Sequence, residues 1–225
     1  MQTVIQEFWR NDINHCLRSG KLVYVDHPKC ASTYYSSLLK SNGWQQIKFK
    51  DIDWASDQVF GFFMHPKIKH AKAVTEDLQS RHSDNLDSIL KLGESFFQDL
   101  GLFGWHSMPL WLRVGDHLYN ITWIPLDGKI SSDELLKKYL AHHGTSIEFV
   151  TVYSHRSNAK KQKTFELINQ LLGDGSAIIW QVLAKDLDLY NHIVSNLNYY
   201  ADDWTEIYGY RPQQFIDKNK LYNAT

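Results

Sequence analysis

Cysteine is nearly absent: Cys16 and Cys30 are the only two in 225 residues. They form no C-x-x-C pair and have no spacing suited to a metal site. The histidines do not supply one either. His65 and His70 are five apart, which splits them around a helix, His142 and His143 are adjacent, and there is no H-E-x-x-H. No metal is therefore expected. A formal net charge of −1 removes any global drive towards nucleic acid, so electrostatic recognition must come from local patches. No stretch reaches the ~18 apolar residues of a membrane span. The first ten residues, Met1 to Arg10, lack the apolar run of a signal peptide or anchor. A cytoplasmic protein without membrane or nucleic-acid partners is expected. Repeats, low-complexity segments and linkers are also missing, so residues 1–225 read as one domain. Finally, no G-x-x-x-x-G-K-[ST] order occurs, which counts strongly against a nucleotide kinase or another P-loop nucleotide-binding protein.

What is present is ordinary globular material with many aromatics. Hydrophobic residues make up 43% and charged residues 22%, and the length allows a substantial core. Eight Trp and twelve Tyr could fill that core or serve as sugar-stacking platforms, with the core reading favoured. Val4, Ile5, Phe8, Trp9, Ile13, Cys16 and Leu17 share a helical stripe, predicting an amphipathic helix over 3–18 that Ser19 and Gly20 end. Strands are predicted at 21–26, 44–49, 58–63, 117–125 and 147–153. Helices are predicted at 33–41, within 66–102, at 133–141 with Ser132 as cap, and at 162–172 and 176–198. The continuous apolar runs suit buried parallel strands, so the expectation is a three-layer α/β fold. It has a mostly parallel sheet of about five strands, a core over about 21–198 and an unplaced C-terminal extension, 199–225.

The most informative segment runs from Leu22 to Thr33, where an apolar strand enters a tight loop that opens a helix. N–H groups at a helix start, with its dipole, favour an anion. Lys29 adds charge, and Ser32 and Thr33 add hydroxyls. A second strand, Gln58 to Phe63, is followed by Pro66, Lys69 and Lys72. At a spacing of three, these lysines share a helix face and could grip one phosphate. Further on lie Trp105-His106-Ser107-Met108-Pro109 and a late helix containing Asp186, Leu189 and Tyr190. The polar, basic run from Ser154 through Arg156 to Lys161 follows a predicted strand end, where open α/β sheets bind ligands.

Taken together and in this order, these segments resemble the sulfotransferases that use 3′-phosphoadenosine 5′-phosphosulfate (PAPS), the carbohydrate type in particular. Pro28 to Thr33 is similar to their Pro-Lys-x-[Gly/Ala]-[Gly/Ser]-Thr phosphosulfate loop. Pro66, Lys69 and Lys72 fall on the 3′-phosphate motif, with Met64 and His65 in place of its arginine and acid. His106 and Pro109 resemble a His-x-x-Pro element, with Leu110 where glutamine is usual. Leu183 replaces a tyrosine ahead of Asp186. The resemblance implies a P-loop-like fold with PAPS as sulfuryl donor and a hydroxyl of a carbohydrate or other small molecule as acceptor. Lys29 would then serve the leaving oxygen. Cys30, Ala31, Ser32 and Thr33 would hold the 5′-phosphate, Lys69 and Lys72 the 3′-phosphate, and Ser154 and Arg156 a third cofactor-facing loop. His106 is the favoured base among His27, His65, His70 and His82, with Asp51 and Asp53 as alternatives. A sulfotransferase-fold binding module without activity is the other reading.

Overall fold

In the computed structural model, residues 15–81, 106, 108–150, 159–171, 177–197 and 204 are described. Five strands form one open sheet: β1 (His15–Ser19), β2 (Leu22–Val25), β3 (Gln45–Lys48), β4 (Gln58–Phe63) and β5 (Thr122–Pro125), in the order β3-β1-β2-β4-β5. Among the described residues, six helices accompany it: α1 (Ser32–Ser41), α2 (Pro66–Arg81), α3 (Leu110–Val114), α4 (Ser132–His142), α5 (Ala159–Leu171) and α6 (Ala177–Asn196).

The sheet is mixed, which corrects the expectation of a mostly parallel one. β2–β4 and β4–β5 pair in parallel, but β1 pairs antiparallel with both β2 and β3. The cause is the hairpin at Gly20 and Lys21, which joins Ser19 to its partner Leu22. Gly20 takes φ +58° at the first central position of a two-residue turn, a conformation glycine adopts without Cβ strain. Ser19 therefore ends a strand and Gly20 opens a hairpin turn, and the pair is not a helix stop. Residues 15–18 of the expected helix over 3–18 are strand, while 3–14 lie outside the described residues. Cys16 and Leu17 are adjacent and both buried, as a strand covered on both faces requires.

Side-chain alternation sorts the helices onto two faces. Tyr24, Phe60 and Phe62 point to one face, where Tyr35 of α1 stacks on Phe62 at 3.5 Å and Tyr139 of α4 meets Phe60. The opposite face carries Phe63 and Trp123, covered by Tyr190 of α6. Among the described residues, most of the large aromatics are thus core. Gly61 lies under the Trp123 ring: a Cβ there would stand 2.7 Å from Cζ3 and 3.0 Å from the Val25 carbonyl. Only glycine lets β5 seat its tryptophan.

Two other expected strands are shortened. Before β5, residues 115–117 form a 3₁₀ turn, and the Trp123 indole N–H donates to the Leu118 carbonyl at 2.8 Å. The described part of the expected strand 147–153 is not in the sheet, because its backbone is bonded elsewhere. The Asn42 side chain accepts from Glu148 N–H at 2.7 Å and donates to the Glu148 carbonyl at 2.9 Å. α4 is capped by Ser131, whose hydroxyl accepts the Glu134 N–H, one residue earlier than expected.

Candidate functional site

β2, β4 and β5 run in parallel, so the loops after them share one edge of the sheet. From β2 the chain leaves through α1 to β3 on one side, and from β4 it leaves towards β5 on the other. Adjacent parallel strands with diverging exits define the crevice where α/β sheets bind ligands. The loop 26–31 sits at that crevice.

Its geometry is unusual for its composition. Lys29 has φ 64° and Ala31 φ 55°, both left-handed, and neither is glycine. Each such residue costs about 1–2 kcal/mol. The Cys30 N–H turns back to the His27 carbonyl at 3.1 Å, so it serves the turn, and three of the four expected cradle positions are left for a ligand. Ala31 is the N-cap of α1 and has no side-chain oxygen to offer; the first turn carries no acid. The opening N–H groups of a helix lack intrahelical acceptors, and here the N-cap side chain does not cap them. Ser32 is half-buried, and Ala31 and Thr33 are exposed.

Beneath the loop the environment is dry. His27 is 3% exposed, faces Trp123, and has its pKa held well below the usual histidine range by burial and by Lys69 and Arg113. Burial pushes the Cys30 thiol up to about 12, so it is a protonated sulfur unsuited to attack. Burial also raises Asp26, against the opposing pull of Arg113 and the hydroxyls of Ser36 and Tyr24. These groups are structural.

The crevice itself holds a constellation that the sequence pattern did not announce. Lys29 Nζ pairs with Glu76 Oε2 of α2, and the other oxygen of the same carboxylate lies 4.0 Å from His106 Nε2. Lys29 and His106, the two expected catalytic residues, therefore meet through one carboxylate, and all three are partly exposed. Glu76 went unnoticed because no motif contains it. The available signal was its position one turn beyond Lys72, on the helix that follows β4.

The other candidates are placed as follows. Lys69 and Lys72 do not share a solvent face: Lys72 is exposed, whereas Lys69 is 2% exposed and donates to the Met108 carbonyl. A single phosphate cannot be gripped by both in this arrangement. His65 is half-buried against Tyr190, and its pKa is lowered by burial. His70 is buried. Asp51 and Asp53 precede β4, at the end of the sheet opposite the crevice, where they bond to Lys48, Ala55 and Ser56. His82, Ser154 and Arg156 lie outside the described residues, as does most of 199–225. Among the described residues no cluster suited to a metal occurs, and no helix is long and apolar enough to cross a membrane.

The chain matches no protein-family model, no curated protein and no solved structure. Function must be argued from the site.

Proposed function

We propose that this chain is a sulfotransferase with a P-loop-like strand–loop–helix core, moving the sulfuryl group of PAPS to a hydroxyl of a carbohydrate or other small acceptor. The observation that carries the reading is the meeting of Lys29, Glu76 and His106 at the mouth of the loop that opens α1. In this reaction the acceptor oxygen bonds to sulfur, the bond from sulfur to the bridging oxygen breaks, and 3′-phosphoadenosine 5′-phosphate (PAP) leaves. Such a loose, in-line displacement needs a cation at the leaving oxygen and a base near the acceptor proton. Lys29 suits the first role. Glu76, with His106 beside it, suits the second, since an ionised carboxylate takes the proton directly or orients the imidazole that does. The donor's phosphosulfate must draw Lys29 away from Glu76, which would free the carboxylate as the charge on the lysine is taken over. Ala31, Ser32 and Thr33 would hold the 5′-phosphate, and Lys72 is the exposed cation for the 3′-phosphate. A cytoplasmic location and a small-molecule acceptor belong to the same proposal.

Two observations favour the second reading, a binding module without turnover. Lys29 is already neutralised by Glu76, and Lys69 is withdrawn into the core. Calorimetric titration with PAP, AMP and ATP, followed by PAPS turnover with an acceptor panel, separates the readings. Sulfuryl transfer together with PAP binding tighter than AMP supports the enzyme. PAP binding without transfer favours the module. No PAP binding at all removes both.

A further inference from the structure

Lys69 and Asp186 are buried ionisable side chains from two different helices, and both end on the same short stretch of backbone. Lys69 of α2 donates its ammonium to the Met108 carbonyl. Asp186 of α6, 4% exposed, accepts the N–H of Leu110 at 2.6 Å and of Trp111 at 2.9 Å. One carbonyl and two N–H groups are thus held from two directions within four residues. Neutral side chains could satisfy them at a lower desolvation cost, because burying a charge is expensive unless its geometry is well made. The strength of a charge-assisted hydrogen bond is what an ammonium and a carboxylate add.

What lies next to this stretch gives the strength a use. His106 is two residues before Met108, with its ring at Glu76. Glu76 and Lys69 are seven residues apart on α2, two helical turns, so they lie on one stripe about 10 Å apart. That single stripe touches the backbone after His106 with its buried lysine and the imidazole with its half-exposed glutamate. The sequence pattern offers Lys69 as a phosphate ligand. The geometry points to a different role.

We infer that Lys69 and Asp186 are positioning residues: a buried clamp on Met108–Trp111 that fixes His106 against Glu76 and Lys29. The clamp rests on the proposed sulfotransferase reading for its purpose, although its geometry does not. It predicts that loosening either side chain lets the imidazole leave Glu76, which lowers turnover and leaves donor affinity alone. A phosphate-ligand role for Lys69 predicts the reverse.

The test uses the full chain with ¹⁵N-labelled histidine, the His106 ring signals being assigned by loss in His106→Gln. In Lys69→Met, the His106 signals are expected to shift and broaden while those of His142 and His143, at the end of α4 on the opposite face of the sheet, hold their positions. General loosening of the fold would move all three. With PAPS, kcat is expected to fall at least tenfold, with PAP affinity within twofold of the parent. Asp186→Asn keeps the shape but can accept only one of the two N–H bonds, and is expected to give the same pattern at about three- to tenfold. It decides the matter should Lys69→Met fail to fold. His106 signals unmoved in the folded variants, or a PAP affinity that falls with Lys69, would overturn the clamp. If the parent neither binds PAP nor turns over PAPS, the sulfotransferase reading fails, and the His106 signals alone then decide the clamp.

Discussion

A lysine that already holds a carboxylate binds an incoming anion only by exchange, so in the proposed sulfuryl transfer Glu76 would set both affinity and rate at Lys29. Glu76→Gln keeps the side chain's size but removes the competing charge. PAP affinity is expected to rise several-fold, read by calorimetry, while kcat falls at least tenfold because the carboxylate that takes the proton or orients His106 is neutralised. A fall in both would mean that Glu76 merely supports the fold. Lys29→Ala should lower kcat on the order of 100-fold with a smaller effect on affinity, since the bridging oxygen gains its charge only as the bond breaks. Normal turnover in that variant would remove Lys29 from the chemistry. Ala31 offers a separate check on the strained loop. Its φ of 55° suits glycine, and glycine is nearly as good an N-cap as a polar residue. Ala31→Gly is therefore expected to stabilise the protein by about 1 kcal/mol in urea melts, or less after the entropy that glycine adds to the unfolded chain. A destabilised variant would show that the loop is held by contacts that outweigh its dihedral cost.

At the scale of elements, one amide pins the backbone of a segment, 145–150, that Ile147 and Phe149 also pack against the core. α1 ends at Ser41, and Gly43 at φ +81° lets the chain turn back so that Gly43 and Trp44 N–H groups reach the Lys40 and Leu39 carbonyls. Asn42 sits in that turn and spends its side chain on two clients. It donates to the Leu38 carbonyl at 2.9 Å and exchanges a bond in each direction with the Glu148 backbone. This pairing copies what a neighbouring strand would supply, which is why the segment lies extended without joining the sheet. Asn42→Ala removes all three bonds and is expected to cost about 1–3 kcal/mol, the upper end applying where water cannot replace them. Hydrogen exchange should localise the loss: the Glu148 amide exchanges much faster, while the β2 amides keep most of their protection. Uniform loss across the sheet would place Asn42 in the global core instead.

For the molecule as a whole, the buried clamp makes stability depend on pH in two windows. Burial raises the Asp186 carboxyl from 3.8 to about 6, so the folded state holds its proton more tightly. Stability is then expected to fall as pH rises from about 4 to 6, by roughly 3 kcal/mol if nothing compensates. Burial lowers Lys69 from 10.5 to about 8, so the folded state gives up its proton more readily. Stability is expected to rise again between pH 8 and 10.5, by a similar amount. Between the windows both groups are charged and support each other, and the parent should show a stability minimum near neutrality in melts taken across the range. Lys69→Met removes the charge that pulls Asp186 down, so the acid window should move to higher pH and the alkaline window should vanish. An unchanged profile in that variant would mean that the two groups do not feel each other.

The sequence alone determined the elements whose signal is local. The apolar run at β4 marks the strand from Gln58 to Phe63, both bounds as expected, because every residue after Gln58 is buried and Gly61 is flanked on both sides by large apolar residues. α1 is legible from the spacing of Tyr35, Leu38 and Leu39 and from the asparagine and glycine that close it. The loop between β2 and α1 is legible from its residue types. The tertiary structure decided what depends on partners far along the chain. Cys16 and Leu17 fit a helical stripe and a two-faced strand equally well, and only pairing with β2 and β3 selects the strand. Lys69 and Lys72 look equivalent at a spacing of three, and only the packing of the Met108 segment and α6 buries the one and leaves the other in water. Glu76 belongs to no local pattern at all. It becomes a candidate because α2 carries it between a loop that ends one strand and a histidine that precedes α3, and a pattern read along one dimension carries no distance between those three.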